Sequence, residues 1–111
     1  LSGSTDRLLT YARGASLSPG QMEALAEERR VVDDRPPLAD LVERWHVTVS
    51  AALEQLGRTS PDDLLQPRAV GRAQLPSTVL GLLFHAAEHA SRHTGQVVTT
   101  AKLVRALDAE G

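Results

Sequence analysis

Cysteine is absent from this chain, which excludes disulfides and thiolate metal sites and leaves His, Asp and Glu as the only side chains able to hold an ion. Phe, Trp, Tyr and Met occur once each, so Leu, Val and Ala must build the core; few β-branched runs and many Ala and Leu point to helices. No apolar run approaches the ~18 residues that a spanning helix needs, which predicts a soluble protein. Charge of one sign is also lacking. Twelve basic and fourteen acidic residues are interspersed and sum to −2, leaving no footprint for nucleic acid or for anionic membrane lipid. With no N-terminal charged and apolar leader pattern, a cytoplasmic location is expected. The first residue is Leu1 rather than methionine, as expected for a trimmed piece of a longer polypeptide. A chain of 111 residues suits a single domain over 1–111.

Apolar spacing and capping residues divide the chain into helices. Ser2 to Arg13 reads as a helix with Leu8, Leu9 and Ala12 on one side, stopped by Gly14, which suits a left-handed cap. Ser18-Pro19-Gly20-Gln21 holds a cap, a proline at the first helical position and a capping-box partner, predicting a short helix to about Glu28. Arg29 to Arg35 is charged and precedes two prolines, so a loop is expected there. From Pro37, Leu38, Leu41, Val42, Trp45, Val49, Ala52, Leu53 and Leu56 recur at spacings of three and four, the stripe of an amphipathic helix ended by Gly57. In that helix Trp45 is expected in the core and His46 at the boundary. Ser60-Pro61-Asp62-Asp63 caps a short helical segment. Gln66 to Pro76, with two prolines and a glycine, reads as an extended connection. Ser77 is the expected cap of the longest helix, to roughly Leu107, with Val79, Leu83, Ala86, Ala90, Val97, Ala101 and Val104 on its inner stripe.

The unusual chemistry is concentrated in the segment from His85 to Gln96, which carries three of the four histidines, His85, His89 and His93. Residues four apart on a helix are neighbours, so either His85 with His89 or His89 with His93 can present two imidazoles to one ion. His85 and His93 are separated by about 12 Å along the axis at about 1.5 Å per residue, too far for one site to use all three comfortably. At about 100° per residue His93 and His89 lie nearer the apolar stripe than His85 does, which selects His89 and His93 as metal ligands. Gln96 and Gly95, a turn beyond, are placed to support an imidazole and to admit a ligand. A competing motif, His85-Ala86-Ala87-Glu88-His89, matches the inverted zincin pattern H-x-x-E-H, with Glu88 as general base; the chain shows no strand to align a peptide, and Glu88 otherwise reads as a solvated carboxylate. His46 is an alternative third ligand.

His89-Ala90-Ser91-Arg92-His93-Thr94-Gly95-Gln96 resembles the last helix of the DinB-like family, in which a His, three residues, a second His and a short Gly-Gln step follow one another. The opening Leu1 to Ala12 is similar to the end of a family helix that follows the first metal-binding histidine, and the Leu38 to Leu56 helix with its Ser60-Pro61-Asp62-Asp63 continuation is similar to the family's third helix. The resemblance implies an all-α, up-down helical bundle, here lacking its N-terminal helix or helices. It further implies a three-histidine site for nickel, zinc or a similar divalent ion, often in a homodimer. Some relatives are transferases or isomerases that use low-molecular-weight thiols. Carried over by position, the matching ligands are His89 and His93; the family's first histidine has no counterpart before His46, so the third position falls to water, to His46, to a neighbouring molecule or to polypeptide upstream of Leu1. An ion held by neutral imidazoles keeps its charge uncompensated and favours an anionic partner such as a thiolate, whose pKa it lowers. The alternative is a non-catalytic helical dimer or metal-binding module.

Overall fold

A computed structural model describes residues 1–30 and 36–111, in the order α1 (Ser2–Ala12), α2 (Pro19–Glu28), α3 (Leu38–Arg58), a 3-10 turn (Pro61–Asp63), β1 (Pro67–Val70), β2 (Leu75–Thr78) and α4 (Val79–Glu110). The protein is mostly helical, and among the described residues no helix is long and apolar enough to cross a membrane. Residues 31–35 of the expected charged loop lie outside the described residues.

Local chemistry accounts for most element ends. Gly14, at φ +77°, closes α1 in a Schellman motif: the Ala15 N–H donates to the Thr10 carbonyl at 3.2 Å and the Gly14 N–H to that of Tyr11 at 2.9 Å, satisfying carbonyls that the helix leaves free. Ser18 and Gln21 form the expected capping box, with bonds of 3.1 and 2.9 Å. The Gln21 amide then reaches across to Asp6 at 2.7 Å and Thr10 at 2.8 Å, tying α2 to the outer side of α1. Gly57 does not end α3, which runs one residue further to Arg58 with Thr59 as its cap; an exposed glycine in a last helical turn costs only about 1 kcal/mol.

The connection expected between Gln66 and Pro76 is a hairpin. β1 and β2 pair antiparallel in the register Pro67↔Thr78 to Val70↔Leu75, turning through Gly71 at φ +69° and Gln74 at φ +50°. A pair of strands has only outer edges, so Pro67 and Pro76 need supply no ladder N–H on their free sides. The hairpin feeds directly into α4, whose cap is Thr78 rather than Ser77: the Gly81 N–H donates to Thr78 Oγ1 at 3.0 Å.

α1 is the centre of the assembly, packing against α4 on one side and α3 on the other, while α3 and α4 scarcely touch. The buried apolar residues are Leu9 and Ala12 of α1 and Val79, Leu82 and Ala86 of α4. Gln55 Nε2 donates to the Leu9 carbonyl at 2.9 Å and links α3 to α1. Arg68 Nε donates to the Ala12 carbonyl at 2.8 Å, setting the end of α1 against β1. Since the hairpin leads into α4, the C-terminus of α1 and the N-terminus of α4 share one end of the molecule, and these helices run antiparallel. α4 is the long axis: 32 residues at about 1.5 Å each give about 48 Å, against a longest extent of 55 Å. The radius of gyration is 16.4 Å, where a compact chain of this length has about 13 Å.

This arrangement corrects two expectations about the core. Trp45 is half-buried, not enclosed, and lines an open groove. On α4, the inner stripe is covered only as far as Ala90; Val97, Ala101 and Val104 are exposed.

Candidate metal centre

α4 positions the site by its pitch. Val79, Leu82 and Ala86 face α1, and His93, two turns beyond Ala86, falls on nearly the same line at about 100° per residue, with His89 a little to one side. Their ring nitrogens converge: His93 Nε2 and His89 Nε2 lie 3.0 Å apart, with ring centroids at 4.2 Å and planes at 69°. Two imidazoles each about 2.1 Å from a shared zinc-like ion and separated in this way would subtend about 90° at it. That is the angle between neighbouring positions of an octahedron, and it is tighter than a tetrahedral pair. The same separation also suits one imidazole donating to the other, so the pair is self-consistent with or without an ion.

Two buried polar atoms are unpartnered among the described residues, His89 Nδ1 and Thr5 Oγ1. Such an atom costs about 1–3 kcal/mol. A metal-bound imidazole ordinarily donates its second N–H to a carboxylate or carbonyl, and His89 Nδ1 has no such partner here. Burial lowers the pKa of His89, and His93, Arg92, His85 and the α-amino group of Leu1 lower it further. The imidazole is therefore neutral near neutral pH, the form that binds metal.

The donor set fits an ion in part. Among the described residues no group of three or more His, Asp or Glu side chains is gathered at one point; the structure supplies a two-imidazole chelate and leaves the other coordination positions open. His85 stacks on His89, with centroids 5.8 Å apart and planes at 19°, so the His85–His89 pair stacks in place of converging. Glu88 is exposed and paired with Arg92 at 3.2 Å, which gives the inverted zincin reading no support. His46 is exposed on α3 and joins no such group. Gln96 and Gly95 are exposed, with open space around Gly95.

Sequence reasoning missed an apolar groove elsewhere on the same helix. Between α3 and α4, with α1 as its floor, runs an apolar groove of about 260 Å³ lined by Thr5, Leu9, Trp45, Val49, Ala52, Leu53, Leu56, Leu83, Ala86, Ala87 and Ala90. Neither His89 nor His93 lines it: at about 100° per residue Leu83, Ala87 and Ala90 lie on the opposite side of the Ala86 line from the two imidazoles. Leu9 and Ala12 of the buried line of α1 were readable from apolar spacing, whereas Thr5 and Thr10, which are buried in place of Leu8, were not; nor was it readable that α3 and α4 stand apart. No family model, curated protein or solved structure matches this chain.

Proposed function

We propose that this chain is a DinB-like helical domain that binds one divalent ion, nickel or zinc, through His89 and His93. The observation that carries the reading is the convergence of the two Nε2 atoms at 3.0 Å on a helix face where burial keeps at least His89 neutral. Arg92 and Glu88 occupy each other on the outer side and do not compete for the ion. When bound, the ion would supply Lewis acidity, lowering the pKa of a thiol or water in its open positions.

Openness separates the two functional classes. An enclosed pair with every N–H satisfied would mark a purely structural site. The half-exposed imidazoles support the catalytic class, in which the partner is a low-molecular-weight thiol and the reaction an S-transfer or isomerisation. In that reading His89 and His93 would orient the ion, and its remaining positions would be open to the thiol. The second reading is a metal-binding module without chemistry, for which an ion held by the two converging imidazoles suffices.

Elemental analysis of purified chain, wild type beside His89→Ala/His93→Ala and His85→Ala, tests the proposal. Stoichiometric nickel or zinc in wild type and His85→Ala, lost in the double variant, is expected. Equal metal in all three, or none in wild type, overturns it. Thiol transfer assayed on the metal-loaded protein then separates catalyst from module.

A further inference from the structure

The apolar line that α4 turns toward α1 continues past the region α1 covers. Every residue from Thr94 to Glu110 is exposed, including Val97 at 60% and Val104 at 49%. At about 100° per residue His93, Val97, Ala101, Val104 and Asp108 stay within a narrow band around the line of Ala86. An exposed apolar band of this length differs from single scattered surface residues. It ends in a carboxylate that stands on the apolar line.

The spacing of that band reads almost the same in both directions. From His93 it steps by four, four, three and four to Asp108, and backward by four, three, four and four; about the point between residues 100 and 101, His93 maps onto Asp108 and Val97 onto Val104, and only Ala101 meets a residue off the band, Thr100. A helix with such a band is complementary to its own copy laid antiparallel across a two-fold axis, where residue i meets j and j meets i. With the axis at Thr100 and Ala101, small side chains meet at the centre, Val97 faces Val104 on either side, and at each end His93 faces the partner's Asp108. An imidazole N–H can donate to a carboxylate, so the polar ends suit the register that the apolar residues select.

We propose that two copies of the chain pair through the projecting halves of α4 in this register, and that the partner's Asp108 supplies the carboxylate that the His89 and His93 pair lacks. The ligand role rests on the metal-binding reading above; the pairing does not. Two imidazoles and a carboxylate leave an ion its open positions while offsetting part of its charge.

Light scattering over a concentration series is expected to show a dimer for wild type and a monomer for Val97→Asp/Val104→Asp, with helical content unchanged by circular dichroism. Asp108→Asn should remain a dimer and bind zinc or nickel at least about tenfold more weakly. The decisive measurement mixes Asp108→Asn chains with His89→Ala/His93→Ala chains. Each half-site is intact on a different chain, so mixed dimers should regain wild-type affinity at one ion per mixed dimer. A wild-type monomer at every concentration, the result expected if some other helix covers the band, overturns the proposal. So does a dimer that survives Val97→Asp/Val104→Asp, or a zinc affinity indifferent to Asp108→Asn. A wild-type dimer that takes up neither ion overturns the metal-binding reading and the role of Asp108 together, while the loss of dimer in Val97→Asp/Val104→Asp still supports the pairing.

Discussion

An ion that binds the folded chain raises its thermal midpoint, and the size of the rise follows from chain length. At about 2.1 cal/mol/K per residue, unfolding 111 residues carries an entropy of about 0.23 kcal/mol/K at the midpoint. Zinc or nickel at a hundred times its dissociation constant stabilises the native state by about 2.7 kcal/mol, so the midpoint should rise by about 12 °C. Removing either imidazole leaves a single nitrogen in place of the convergent pair. If that weakens binding about a hundredfold, the same ion concentration gives about 0.4 kcal/mol and about 2 °C. Differential scanning fluorimetry on wild type, His89→Ala, His93→Ala and His85→Ala, each with and without ion, measures this directly. Only His85→Ala should keep the full rise, because its ring stacks on His89 without sharing a nitrogen. A full rise in His89→Ala/His93→Ala, or none in wild type at millimolar zinc and nickel, would refute the chelate.

Acid should weaken the fold through His89. Its folded pKa lies below the ordinary 6.5, so between those two values the unfolded chain binds more protons, and stability rises with pH. The contribution is complete above pH 6.5 and is lost as pH falls toward the folded value, a dependence that denaturant midpoints across this range should show and His89→Ala should lack. Leu82→Ala removes a side chain that is 4% exposed in a small core and should cost about 3 kcal/mol in urea unfolding, whereas Leu65→Ala, 75% exposed, should cost under about 0.5 kcal/mol; equal losses would mean that the core is elsewhere. Thr78→Ala removes the side-chain cap of α4 and should destabilise by about 1 kcal/mol, measured the same way, with Ser77→Ala near neutral.

What the sequence determined by itself was mostly what one helix can determine alone. Pitch and capping are local: Gly14 needs only its own left-handed backbone, the Ser18 and Gln21 box closes within four residues, and the nearness of His89 to His93 follows from their spacing on α4, where their Nε2 atoms lie 3.0 Å apart. The hairpin escaped notice because its turn, Gly71 to Gln74, carries none of the two-residue signatures that announce one, and because two prolines conceal a strand until pairing places both strands at the edges of a two-stranded sheet. Trp45 and the distal stripe of α4 were legible as apolar, but not that the first is half-buried and the second exposed. Apolar periodicity tells which face seeks cover, whereas whether cover arrives depends on which helices meet. Only tertiary structure decided that α1 lies between α3 and α4, that an apolar groove opens between α3 and α4, and that among the described residues His46 on α3 does not join the imidazoles of α4, because these are relations between segments far apart in sequence, and helical period carries no information about them.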